Sequence, residues 1–102
     1  MIVELNEKNF EKETSHGLKL VEFYAPWCMY CRNQRIELIN FEESDIWIGI
    51  VDGDESPNLV KKYKIDGYPT FVLLKDGQKV AQFDGFHDKS KLLNRLMAFL
   101  HQ

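Results

Sequence analysis

The stretch Leu20-Val21-Glu22-Phe23-Tyr24-Ala25-Pro26-Trp27-Cys28-Met29-Tyr30-Cys31 decides how the rest of the chain is read. Lys19 to Tyr24, apolar and aromatic after Lys19 except for Glu22, suits a buried strand. Arg32 to Phe41 suits a helix that begins at or just before Cys31, with Ile36 and Ile39, and with Leu38 and Phe41, turned toward a core. Cys28 therefore sits at or just ahead of a helix N-terminus, where free N–H groups and the positive end of the helix dipole stabilise a thiolate. Thiols of Cys-x-x-Cys pairs at such places have pKa values lowered from about 8.5 to roughly 3.5–7.5. Cys31, one helical turn on, is close enough to attack a disulfide formed at Cys28. The two residues are the whole cysteine content. A bridge across two intervening residues closes too small a loop to staple a fold. Redox chemistry, half of a zinc site, or two small buried hydrophobes are the readings left open.

The flanking sequence alternates strands and helices. Ile2 to Leu5 is a short strand, and Asn6 is a candidate cap for a polar helix ending near Gly17. Ile46 to Val51 is a second buried strand. Ser56-Pro57 opens a helix whose inner face is Leu59, Val60 and Tyr63, the serine capping free N–H groups and the proline taking the first helical position. Thr70 to Leu74 and Lys79 to Phe83 flank a turn at Asp76-Gly77 and form a hairpin. Leu92, Leu93, Leu96, Phe99 and Leu100 recur at helical spacing from Lys89 onward. The resulting order, β-α-β-α-β-α-β-β-α, predicts an α/β fold with a mixed central sheet covered by helices on both faces.

Composition narrows the classes of function. The chain has 102 residues, is 44% apolar, and carries 13 Lys and Arg against 16 Asp and Glu. That supports a core without metals or multiple disulfides and gives no electrostatic footprint for nucleic acid or an anionic membrane. No apolar run approaches the ~18 residues of a membrane span, and Met1 to Lys8 lacks the order of a signal peptide, so a cytoplasmic protein is expected. His16, His87 and His101 are scattered, without the spacing that would complete a zinc site around Cys28 and Cys31.

The quoted stretch resembles the thioredoxin superfamily, most closely the catalytic domains of protein disulfide isomerases. Gly67-Tyr68-Pro69-Thr70 is similar to the family's cis-proline loop, and the likeness continues through Val51-Asp52 to Tyr63, the hairpin and Gly85, so residues 1–102 are expected to form one such domain. The resemblance implies a thioredoxin fold in which the two loops meet over the cysteines. It implies Cys28 as attacking thiol, Cys31 as resolving thiol, Glu22 as a buried acid that moves the Cys31 proton, and Tyr68 with Pro69 as the loop that takes up substrate. Trp27, an amphipathic ring beside Cys28, is placed to receive a partner's backbone. Three positions depart from the family pattern. Met29-Tyr30 stands where thioredoxins have Gly-Pro and the isomerases Gly-His; Ile36 replaces a kinking proline; and Ile50 occupies the place of a lysine that commonly pairs with the buried acid, leaving Glu22 without that cation.

The expected activity is thiol:disulfide exchange on proteins by a monomer, with no cofactor beyond the cysteine pair and no metal. Met29 and Tyr30 bring no charge, which favours a protein disulfide reductase served by a thioredoxin reductase-type electron donor. The alternatives are an oxidase or isomerase of an oxidising compartment, disfavoured by the missing signal peptide and by a C-terminus of Leu100-His101-Gln102 with no retention signal, and a client-binding module with little turnover.

Overall fold

A computed structural model describes residues 1–41 and 45–100. It contains, in order, β1 (Ile2–Leu5), α1 (Phe10–Thr14), β2 (Leu18–Tyr24), α2 (Met29–Phe41), β3 (Trp47–Asp52), α3 (Pro57–Lys62), β4 (Thr70–Lys75), β5 (Gln78–Asp84) and α4 (Lys89–Leu100). The strands form one sheet in the order β1-β3-β2-β4-β5. β3 runs parallel to both β1 and β2, whereas β4 is antiparallel to β2 and β5. This is the mixed sheet and element order expected from the sequence.

Strand alternation divides the core between two faces. Val21 and Phe23 of β2 point to the side where Phe10, Leu59 and Tyr63 bring α1 and α3 onto the sheet. Leu20 points to the other side, with Leu38 and Phe41 of α2 and Leu92 and Leu96 of α4. Glu22 and Tyr24 share that second face by the same alternation. The hairpin turns at Asp76 and Gly77, whose φ angles of 50° and 83° both lie in the left-handed region. Such a two-residue turn matches the twist of the strands it joins, as Asp-Gly predicts.

Local readings need four corrections. Ile36 and Ile39 are exposed, 58% and 53%, while the buried residues of α2 are Cys31, Gln34, Leu38 and Phe41. The inner stripe follows the spacing 3, 4, 3 from Cys31, and a glutamine within it concealed the pattern. α1 starts at Phe10 behind Asn9 rather than being capped by Asn6, and it ends at Thr14 with Ser15 as its C-cap. The Asn6 carboxamide oxygen instead accepts from the backbone N–H groups of Lys8 and Asn9, at 2.8 and 2.9 Å, and closes a turn ahead of the helix. Ser56 does precede Pro57 at the start of α3, but its hydroxyl is buried without a hydrogen bond and does not cap. On α4, Leu93 and Leu100 lean into solvent, leaving Leu92 and Leu96 as the buried pair.

Gln34 ties α2 to the segment that leads into α4. Its amide nitrogen donates to the His87 carbonyl at 2.7 Å, and its oxygen accepts from the His87 N–H at 2.8 Å. Both backbone groups are out of water, so replacing the amide with an apolar side chain strands two polar atoms at once. Gln34→Leu is expected to lower stability by roughly 2–4 kcal/mol, read as a lower urea midpoint at unchanged slope.

Candidate active site

β2 is buried along most of its length and ends at Tyr24, where the chain leaves the sheet and turns through Ala25, Pro26 and Trp27 into α2. The Cys28 N–H donates to the Ala25 carbonyl at 3.1 Å, which closes the turn and sets Cys28 one residue ahead of the helix. In the first turn of α2, where backbone donors have no carbonyl behind them, the Cys31 N–H points at the Cys28 sulfur, 3.2 Å away. The two cysteines are free and equally secluded, at 6% and 5% exposure. Cys28 receives a helix N–H, the kind of donor that favours thiolate, and its Sγ lies 3.6 Å from the Tyr68 carbonyl, to which the protonated thiol donates. The Cys31 thiol is pushed up to about 12 by burial first, then by its hydrogen bond with Cys28, with the Glu22 charge adding to the rise and a backbone hydrogen bond at Ala25 opposing it.

A second loop closes on this one. The Tyr68–Pro69 bond is cis, as the resemblance implied. The Tyr68 ring meets Trp27 edge-on, with 5.9 Å between ring centres. Its hydroxyl end approaches Gly53 so nearly that any Cβ there would collide with it. Trp27 is anchored at one end only: its indole N–H donates to Asp54 at 3.0 Å while the ring stays 68% exposed. Gly53 and Asp54 were not picked out from the sequence, because nothing near them in the chain announces a contact with residues 27 and 68.

Beneath the cysteines lies Glu22. It is fully buried, and neither carboxyl oxygen has a hydrogen-bond partner. Burial raises its pKa from 4.5 to about 8, against an opposing attraction to Arg35. β3 indeed offers no cation, since Ile50 is the residue registered with Glu22. The raised pKa agrees with an acid that lacks that lysine and is hard to ionise, and Arg35 of α2 is the cation that opposes the rise. Arg35 follows Cys31 by four residues and so lies on the same side of the helix, a relation legible in the sequence but passed over. Tyr24, Ala25, Pro26, Cys28, Cys31, Arg32 and Arg35 line a pocket of about 320 Å³ that opens beside the two sulfurs. Cys28 and Cys31 share this pocket wall, and Tyr68 meets Cys28 through its carbonyl and Trp27 through its ring.

A cysteine pair at a helix start, facing a cis-proline loop on a five-stranded mixed sheet, is an arrangement for disulfide exchange. The thioredoxin family profile matches residues 1–98. The chain belongs to the thioredoxin family. Among its relatives, a thioredoxin of Chlamydia pneumoniae is 34% identical over 96 residues, covering 92% of this chain and 94% of that one. Protein disulfide-isomerase 1 of Caenorhabditis elegans is 39% identical over 85 residues, 76% of this chain but only 17% of the longer protein. A mutant thioredoxin from Halobacterium salinarum superposes with a TM-score of 0.88 at 25% identity, over 96% of this chain and 89% of that one. With its Cys28–Cys31 pair, the protein is a thiol-disulfide oxidoreductase. Among the described residues no helix is long and apolar enough to cross a membrane.

The buried acid makes stability depend on pH in a definite direction. Below about pH 4.5 the carboxyl is protonated whether the chain is folded or not, and it adds no pH dependence. Between about 4.5 and about 8 the unfolded chain ionises while the folded one stays protonated, so stability falls as pH rises. Chemical denaturation of Glu22→Gln across this range is expected to show the variant gaining on the parent by up to about 1.4 kcal/mol per pH unit, with little difference at pH 4.

Proposed function

We propose that this thioredoxin-family protein works as a protein disulfide reductase, with Cys28 as the attacking thiol, Cys31 as the resolving thiol and Glu22 as the proton acceptor. The hydrogen bond from the first turn of α2 to the Cys28 sulfur carries the reading, because it favours negative charge on that sulfur rather than on Cys31. The Cys28 thiolate attacks one sulfur of a substrate disulfide, and the other sulfur departs as a thiolate. Cys31 then gives its proton to Glu22 and attacks the Cys28 sulfur. A Cys28–Cys31 disulfide forms, the second substrate thiolate leaves, and two electrons have passed to the substrate. With a pKa of about 8, roughly a tenth of Glu22 is ionised at pH 7, enough to serve as base without a permanent buried charge.

Substrate enters, in this reading, as an extended segment along Tyr68 and Pro69, pairing with backbone groups of that loop, while Trp27 covers its other side. The exposed ring of Trp27, tethered to Asp54 and braced on Tyr68, supports the assignment. Met29 and Tyr30 add no charge to stabilise the thiolate, which favours a reducing couple and electron donation rather than oxidation. Such a protein belongs in the cytoplasm, where thiols are kept reduced. It would act there as a monomer and be recharged by a thioredoxin reductase-type donor.

Insulin reduction driven by dithiothreitol tests the roles directly. Cys28→Ser is expected to abolish acceleration, and Cys31→Ser to accumulate a covalent mixed disulfide visible by mass spectrometry. A Cys31→Ser protein that turns over normally reverses the assignment. Equilibration with glutathione separates reductant from oxidant, since a reductase holds its disulfide near the thioredoxin potential of about −270 mV, well below the roughly −180 mV of an isomerase. A client-binding module would bind reduced insulin chains without accelerating their formation.

A further inference from the structure

The chain has a formal net charge of −3, yet the pocket beside its two sulfurs is basic. Arg32 and Arg35 stand in the wall that Cys28 and Cys31 share, and among the described residues no carboxylate lines it. Neither arginine makes a hydrogen bond or a salt bridge with a described residue, and the Arg35 Nε is buried without a partner. The carboxylates of the neighbouring elements are engaged elsewhere. Glu4 on β1 accepts from the Tyr24 hydroxyl at 3.0 Å. Asp52 accepts from the Asp54 N–H at 2.9 Å, and Asp54 from the Trp27 indole at 3.0 Å. Glu37, the acid of α2 two residues after Arg35, accepts from the Lys89 N–H at 2.7 Å. Glu22 is mostly protonated at pH 7 and leaves the pair of cations uncompensated.

The two guanidinium groups are also placed to act together. Arg32 and Arg35 are three residues apart on α2 and are therefore neighbours on its surface. The Arg35 guanidinium carbon lies 5.0 Å from the centre of the Tyr24 ring, whose hydroxyl is fixed on Glu4. A planar fork stacked in this way loses less freedom when it takes up a partner. Ile36 and Ile39, the next outward residues of the helix, are 58% and 53% exposed, so the cations are bordered by open apolar surface. Arginine forks match the planar geometry of a carboxylate.

We propose that this pocket takes a substrate carboxylate lying next to the disulfide under attack, so that the protein prefers polypeptide disulfides in which an acidic residue adjoins a cysteine. The inference rests on the reductase reading of Cys28 and Cys31 and names the substrate class of that site. Because the pocket shares its wall with both sulfurs, a side chain adjoining the attacked cysteine enters it as the substrate sulfur meets Cys28. The contact forms beside a partly secluded surface, where a charge pair is worth more than in open water.

Single-turnover reduction of peptide disulfides tests the preference. Peptides with one disulfide and Glu, Gln or Lys beside one cysteine are mixed in excess with the reduced protein at pH 7, and the second-order rate is read by acid quenching and chromatography. A further peptide keeps Gln beside the cysteine and carries its Glu about six residues away. Each turnover converts the peptide disulfide to two thiols and the protein dithiol to the Cys28–Cys31 disulfide. The Glu peptide is expected to react about tenfold faster than the Gln peptide, the scale of one charge-assisted hydrogen bond, and the Lys peptide more slowly than either. The preference is expected to shrink to about twofold when salt is raised from about 20 to about 500 mM, and the remote Glu to give no advantage. R32Q/R35Q is expected to bring the Glu-to-Gln ratio to about one, R32Q and R35Q to lie between, and R32K/R35K to keep part of the preference. Within one variant that ratio cancels any change in folding, in Glu22 or in the thiols that affects both peptides alike, and R32Q, at an exposed position, carries the comparison should the double variant not fold.

A parent ratio near one, a preference that R32Q/R35Q retains in full, or an equal gain from the remote Glu overturns the proposal and leaves the reductase reading standing. Glutathione disulfide serves as the small-molecule source of the same carboxylate chemistry. If it reacts faster than the Glu peptide and loses that rate in R32Q/R35Q, the partner is not a polypeptide and the proposal is overturned. If no disulfide is reduced, the reductase reading fails, and the role of the pocket with it.

Discussion

β2 hydrogen-bonds to a neighbour along each edge and is covered by helices on each face. That enclosure governs the rest of the site. It makes the strand rigid, so the turn that follows begins from a fixed point and delivers Cys28 to the start of α2. It also removes water from the side chains at the centre of the strand, Leu20 to Phe23, including the one acid the strand contains. Position and desolvation therefore arise together from the same packing, and a site built on the surface of a sheet would have neither.

The electrostatics follow from where α2 lies. A helix laid across the sheet spends its first-turn donors at one end of β2 and sets its inner stripe over the middle of that strand. The first-turn donor goes to Cys28, while Cys31, on the inner stripe, is burdened by burial and by the neighbouring acid. The two thiols are alike in exposure but differently placed, one beside a helix donor and the other kept protonated by burial and by the neighbouring acid.

Much of this was legible in the chain. The order of elements, the Asp76-Gly77 turn, the paired cysteines and the proline loop each depend on local chemistry or on motifs contained in a few consecutive residues. What was not legible depends on orientation or distance. The inner face of α2 was misread because Gln34 occupies a core position, where it satisfies the backbone of His87 from 53 residues away. Asn6 and Ser56 carry the side chains of helix caps, yet one is used in a turn and the other is left unbonded, since capping requires a backbone geometry that residue type alone does not dictate. Arg35 escaped notice for a different reason. A cation was looked for only on the neighbouring strand, whereas Arg35 comes from the helix four residues after Cys31.

The close approach of Tyr68 to Gly53 joins two positions 15 residues apart into a single variable. With a tyrosine at 68, position 53 tolerates no side chain, because the space a Cβ requires is already filled by the phenol. With a small residue at 68, this collision disappears. A side chain at 53 and the present ring position at 68 therefore exclude each other, so a replacement of the glycine requires the phenol to move or to shrink.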